Sequence, residues 1–212
     1  QGAAAALMSR LPWPAFAHGA SNLRGCTATG LLPYAFDHGV ATGFVHKHRP
    51  ECILYVGQAP TSRVTLGYLS SATSAQVISI TKGRHVVRPW KHGSAYTGQS
   101  PAMLTQIANG LRDRDSIDPE KYDAIRSELG SVLKTCDGPQ RWAASMIRSL
   151  INTLPDNTQL HVGNSLVIRD LDLYCGAGKP SISILTNRGV NGIDGQIATA
   201  AGMASTAPDG LN

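Results

Sequence analysis

Residues 186–204 read TNRGVNGIDGQIATAAGMA, a stretch with one arginine, one aspartate and four glycines. The apolar run SISIL (181–185) comes just before it, and an alanine-, glycine- and threonine-rich series closes it. A short apolar run bounded by turn residues predicts a buried strand, and the small-residue series predicts a helix that packs closely against something flat. A strand that feeds a helix through a glycine-rich turn is the place where open α/β sheets put ligands.

The same alternation runs upstream. Periodicity predicts a helix over 3–9, a short strand near 14–17 and a helical stretch around 31–36. CILYVG (52–57) then reads as a strand, 61–70 as a helix, QVISIT (76–81) as a strand and 101–111 as a helix. Strands alternating with helices imply a parallel sheet with covered faces, so the fold class is α/β. From 112 to 138 the chain turns charged and helical, with a start signal at Asp118-Pro119-Glu120. An amphipathic helix over 139–153 leads into the strand QLHVG (159–163), a turn NSLVIRD, and the strand-turn-helix unit quoted first. The expected organisation is a first domain over 1–112, a charged helical connection over 113–138 and a second, incomplete domain over 139–212.

The composition narrows the function classes. With 212 residues the chain can bury a sizeable core. It has no apolar stretch near the roughly 20 residues that a membrane-spanning helix needs. The net charge is +5, but the basic residues are spread along the chain and aromatics make up 6%. That pattern fits small anionic ligands and argues against a nucleic-acid partner. Cys26, Cys52, Cys136 and Cys175 lie far apart with no C-x-x-C pair, which speaks against a zinc ribbon or a disulfide scaffold and for a reducing compartment. His46-Lys47-His48 has no carboxylate or cysteine partner nearby and reads as a solvated turn, so no metal ligands are assigned. The chain begins at Gln1 without a secretory signal and reads as a piece of something longer.

Three strand ends gather polar and basic residues. In VGQAPTSR (56–63), Thr61 or Ser62 can cap the next helix and Arg63 lies in its first turn. An arginine at a helix N-terminus, which already favours anions, is explained by a bound carboxylate or phosphate, or by an exposed side chain lying over the surface. In VGNSLVIRD (162–170), Asn164 and Ser165 offer donors at the sheet edge and Arg169 follows one helical turn later, a geometry suited to an oxyanion. The alternative is a simple Asn/Ser cap with Arg169 paired to Asp170 or Asp172. In the third, Asn187 and Arg188 end a strand, Gly189 and Gly192 permit unusual backbone angles, and Ile193-Asp194 start the helix. An isoleucine at so glycine-rich a tip packs on a ligand or partner. YCGAGKPS (174–181) lacks the spacing of a phosphate-binding loop and reads as a turn.

GNSLVIRDLDLY (163–174) and NRGVNGIDGQIATAAGMA (187–204), in this order, resemble the MenD family, the thiamine-diphosphate-dependent synthases that join 2-oxoglutarate to isochorismate in menaquinone and phylloquinone biosynthesis. LPWPAFAHGASNLRG, FDHGV, ILYVGQAPTSR and GRHVVRPWKHGS fall where that family's central domain has similar segments, so the resemblance covers nearly the whole chain. It implies a Rossmann-like central domain followed by the first part of a diphosphate-binding α/β domain. DLDLYCG looks like the plant and algal branch, which implies a fused enzyme of the plastid stroma, the alternative being a bacterial cytoplasm.

The resemblance also implies roles. Ser165, Arg169, Arg188 and Arg63 match substrate-binding positions, Arg188 holding a substrate carboxylate. Asn164, Gly192 and Ile193 match cofactor-binding positions, Ile193 propping the cofactor in a bent conformation. Arginine forks grip carboxylates in bidentate fashion, which agrees with the residue-level reading. The family's pyrimidine-binding domain with its activating glutamate, and the segment that holds Mg²⁺ and diphosphate, have no counterpart in these residues. The expectation is therefore a transferase in which thiamine diphosphate and Mg²⁺ serve the parent enzyme, with neither bound and no turnover by this chain alone. Its partners would be small polycarboxylates and the missing domain or other protein subunits. The competing expectation is a non-catalytic MenD-derived subunit of a larger complex.

Overall fold

The computed structural model of the protein describes residues 2–11, 13–26, 28, 30–32, 35–82, 90, 92–98, 100–111, 119–135, 142–177, 181–187 and 192–206. In chain order these form α1 (Gly2–Arg10), β1 (Ala15–Phe16), β2 (Leu31–Leu32), α2 (Phe36–Ala41), α3 (Phe44–Lys47), β3 (Cys52–Val56) and α4 (Arg63–Ser71). There follow β4 (Gln76–Thr81), β5 (Ser94–Thr97), α5 (Ser100–Gly110), α6 (Pro119–Thr135) and α7 (Trp142–Thr153). The described chain ends with β6 (Gln159–Val162), α8 (Leu166–Tyr174), β7 (Ser183–Thr186) and α9 (Gln196–Thr206).

Every strand pair among the described residues is parallel, as expected for α/β alternation: β3-β4-β5, β6-β7 and the two-residue pair β1-β2. Strand β4 lies between two neighbours and is covered on both faces, which buries Val77 and Ile80 together with the polar Ser79 and Thr81. Ile80 packs with Leu7 of α1, with Leu11 just after it, and with Leu104 and Ala108 of α5. Val77, of opposite parity, packs with Leu69 of α4 and Trp90. Each such buried side chain contributes about 1.5–3 kcal/mol of burial. Three-residue and four-residue spacing puts Tyr122, Ile125 and Leu129 of α6 on one stripe, which packs on Leu32, Phe44 and Val45. The last core joins Ile147 and Ile151 of α7, Val162 of β6, and Ile168, Leu171 and Cys175 around α8.

Two expectations about elements need correction. The predicted helix over 31–36 is a strand at Leu31–Leu32, followed by a helix from Phe36. Leu32 precedes Pro33, whose ring disfavours the helical conformation there, and both leucines gain burial beside β1. NSLVIRD is not a turn, because its last five residues open α8. Strand β5, SAYT, carries almost no periodic signal, since it has only four residues and none of them is buried.

Candidate functional site at the ends of β6 and β7

At the carboxyl end of β6, Gly163 leads to a buried Asn164 and then to Ser165. Asn164 donates through Nδ2 to the carbonyl of Gly192 at 2.8 Å and to that of Asn187 at 3.5 Å. One side chain therefore ties the β6–α8 turn to the loop after β7. Ser165 stands at φ 73°, ψ −126°, a region an L-residue rarely occupies, and costs on the order of 1–3 kcal/mol. Its hydroxyl does not cap α8. The first amides of this helix are thus left without a side-chain acceptor at the point where the helix dipole favours an anion.

Arg169, one turn into α8, is exposed and makes no ion pair among the described residues. Of the alternative, an Asn/Ser cap with Arg169 paired to Asp170 or Asp172, the Asp172 pairing is not seen, because Asp172 turns inward to Arg24. At the other loop, Asn187 donates through Nδ2 to Thr199 Oγ1 of α9 at 2.9 Å. Ile193 is 65% exposed and Gly192 is exposed as well. Two details differ from expectation. The helix begins at Gln196 rather than at Ile193-Asp194, and the positive φ falls on Gly195 (73°), immediately before it, while Gly192 keeps an ordinary φ. A Cβ at Gly192 would meet nothing within 4 Å among the described residues. Arg188 and Gly189 lie outside the described residues.

Arg63 is the first residue of α4 and is exposed. The cap expected at Thr61 or Ser62 is Ser62, whose Oγ accepts from Val64 N at 3.0 Å and Thr65 N at 3.2 Å. Ser62 Oγ and Thr65 Oγ1 in turn donate to the two oxygens of Asp37, at 2.6 and 2.7 Å. Among the described residues, no hydrogen bond or ion pair links Arg63 to the loops after β6 and β7. The structure brings Asn164, Ser165, Arg169, Gly192 and Ile193 to one sheet edge and places Arg63 at the edge of the other sheet.

Sequence reading missed a buried polar cluster beneath this edge. Arg24, 4% exposed, donates from Nε to the Ala17 carbonyl (2.7 Å), from one terminal nitrogen to Cys175 Sγ (3.1 Å) and from the other to Asp172 Oδ1 (2.7 Å). Asp172 Oδ1 also accepts the Gly19 N–H at 2.8 Å, and Oδ2 lies 3.1 Å from His18 Nδ1. Burial acts to raise the Asp172 carboxyl, but His18, the Arg24 guanidinium and the Gly19 amide together hold it below the ordinary carboxylate range. The available signal was a charged residue inside the apolar periodicity of α8, between Ile168, Leu171 and Cys175. Cys175, beside it, is pushed up by burial, and Cys26, Cys52 and Cys175 are all unpaired. Among the described residues no group of three or more His, Cys, Asp or Glu side chains is placed to hold a metal ion, and no helix is long and apolar enough to cross a membrane.

Comparison with known proteins sets this edge in a family context. No protein-family model matches the chain. It is similar to 2-succinyl-5-enolpyruvyl-6-hydroxy-3-cyclohexene-1-carboxylate synthases, the MenD family. The protein of Syntrophus aciditrophicus is 29% identical over 202 residues, covering 93% of this chain and 35% of the relative. That of Dechloromonas aromatica is 29% identical over 95% of this chain and 36% of its own, and that of Sorangium cellulosum 26% identical over 96% and 35%. The chain thus spans about a third of the length of these proteins, and the similarity runs along almost all of its own.

Proposed function

We propose that this chain, a relative of the MenD synthases, forms part of a thiamine-diphosphate-dependent transferase that joins decarboxylated 2-oxoglutarate to isochorismate in quinone biosynthesis. The observation that carries the reading is Arg169, exposed and without a counter-ion among the described residues, one turn after a strained Ser165 whose hydroxyl does not cap α8. Both substrates are polycarboxylates. A guanidinium fork with a serine hydroxyl and helix amides beside it fits one carboxylate of such a molecule. Arg188 is assigned the other carboxylate and Arg63 a supporting contact, both on the strength of the family resemblance.

The loop after β7 fits the cofactor. An exposed Ile193 offers an apolar prop, Gly192 has open space where a Cβ would stand, and Asn164 fixes the loop from below. Close approach of a bound group at this open position accounts for the glycine. When bound, thiamine diphosphate supplies the carbanion stabilisation that the reaction needs. The described residues orient it and its substrate. Mg²⁺, the diphosphate and the activation of the aminopyrimidine are assigned to other parts of the enzyme, so residues 1–212 alone bind cofactor weakly and do not turn over. On this reading, residues 1–112 form the central domain, 113–138 the connection and 139–212 the start of the cofactor domain, and DLDLYCG supports a plastid enzyme.

The test is turnover of 2-oxoglutarate with isochorismate by the full-length protein carrying this segment, with thiamine diphosphate and Mg²⁺ added. Product formation that collapses in Arg169→Gln supports the assignment. A full-length protein that folds but neither turns over nor binds the polyacids would leave the alternative of a non-catalytic subunit.

A further inference from the structure

We propose that His18–Arg24 is a clamp that holds α8 and β7 as one frame, with Asn22, Arg24 and Asp172 acting as positioning residues for the carboxylate site; this rests on the reading of Ser165 and Arg169 given above.

The segment makes side-chain hydrogen bonds to both elements. Asn22, at φ 58°, donates from Nδ2 to the Ile184 carbonyl (3.0 Å) and accepts the Ile184 N–H on Oδ1 (2.6 Å). It thereby completes the ladder of β7 as a neighbouring strand would. Two residues on, Arg24 reaches Asp172 in the second turn of α8, and Gly19 reaches the same carboxylate with its amide. The approach is close enough that a Cβ on Gly19 would stand 3.1 Å from Asp172 Cα. Only glycine lets the turn settle against the helix backbone.

What the clamp holds is what the site uses. Asp172 follows Arg169 by three residues on α8, and Ile184 precedes Thr186 and Asn187, where the loop bearing Ile193 departs. A shift of α8 along β7 would change the span between Arg169 and that loop. The cross-ties from Asn22 and Arg24 fix this span from the far side of the sheet edge without touching a ligand. A neutral contact would serve packing equally well. A buried guanidinium satisfied at Ala17, Cys175 and Asp172 accepts one geometry alone.

The test is site-resolved hydrogen exchange on the full chain for the wild type, Asn22→Ala, Asp172→Asn and Arg24→Lys, with β3–β4 as internal reference. The clamp predicts reciprocity. Asn22→Ala, which touches β7, speeds exchange across α8 by about tenfold or more, and Asp172→Asn does the same to β7, while β3–β4 is unchanged. Arg24→Lys keeps the charge and part of the effect. Acceleration confined to the element each residue touches, or spread equally over the whole chain, overturns the proposal. Titration with succinate separates the two readings. If the wild type binds it and Arg169→Gln does not, Asn22→Ala and Asp172→Asn must weaken binding about tenfold, and wild-type affinity in both overturns the clamp. If the wild type binds no succinate, the carboxylate reading fails and the exchange data alone decide the clamp.

Discussion

The side-chain amide of Asn164 reaches the main-chain carbonyl of Gly192 at 2.8 Å, so the turn after β6 and the loop after β7 are a single unit. Asn164 is buried, and a carbonyl robbed of its donor there has no ready substitute. Asn164→Ala is expected to cost about 1–2 kcal/mol in urea unfolding. It should also loosen Ile193, which a fluorescence or NMR probe on the loop would report. A variant with unchanged stability and an unchanged loop would refute the link.

Ser165 allows strain to be separated from use. At φ 73°, ψ −126° glycine is at ease and serine is not, so Ser165→Gly should stabilise the chain by about 1 kcal/mol despite the extra freedom it gives the unfolded state. If the hydroxyl contacts a substrate carboxylate, the same change weakens polyacid binding. Stability up with affinity down is the expected pair of outcomes. Stability down would mean that the backbone is not strained, and affinity unchanged would remove the hydroxyl from the site.

How much of this was legible in the sequence depends on the range of the forces involved. QVISIT and CILYV were legible because β-branched and other apolar residues gather there in short runs bounded by turn residues, and the Ser62 cap was written locally beside Arg63. The carboxylate candidates Asn164, Ser165 and Arg169 were legible because turn chemistry and helical spacing are local too. Arg24 and Asp172 are 148 residues apart, and nothing in HGASNLRG or LVIRDLDLY says that they meet. Gly195, rather than Gly192, takes the positive φ because the helix starts later than the small-residue composition suggested.

Arg24 and Asp172 should show the asymmetry of a buried ion pair. Asp172→Asn leaves a buried guanidinium without its charge partner and is expected to cost about 3 kcal/mol or more. Arg24→Met combined with Asp172→Leu removes both charges and should recover a large part of that loss. Because the folded carboxyl is held low, its contribution is fully present above the unfolded value of about 3.9 and is lost as pH falls through the lower folded value. Denaturant midpoints for the single and double variants test this, and additive losses would argue against a coupled pair.

His38 gives the opposite end of the pH range. It is buried, its Nδ1 has no hydrogen-bond partner, and its pKa is lowered, chiefly by burial and then by the Arg24 charge. Arg148 adds to that lowering, while Asp37 and Asp172 oppose it. The unfolded chain therefore takes up a proton near pH 6.5 that the folded chain still refuses. Stability should fall as pH drops below that value, by at most about 1.4 kcal/mol per pH unit, until the folded imidazole is itself protonated. His38→Gln abolishes this contribution, so its unfolding free energy should change less than the wild type's between about pH 7.5 and about pH 5.5. Equal slopes in the two proteins would show that the imidazole charges as freely inside the fold as outside it, and the neutral buried His38 would have to be abandoned.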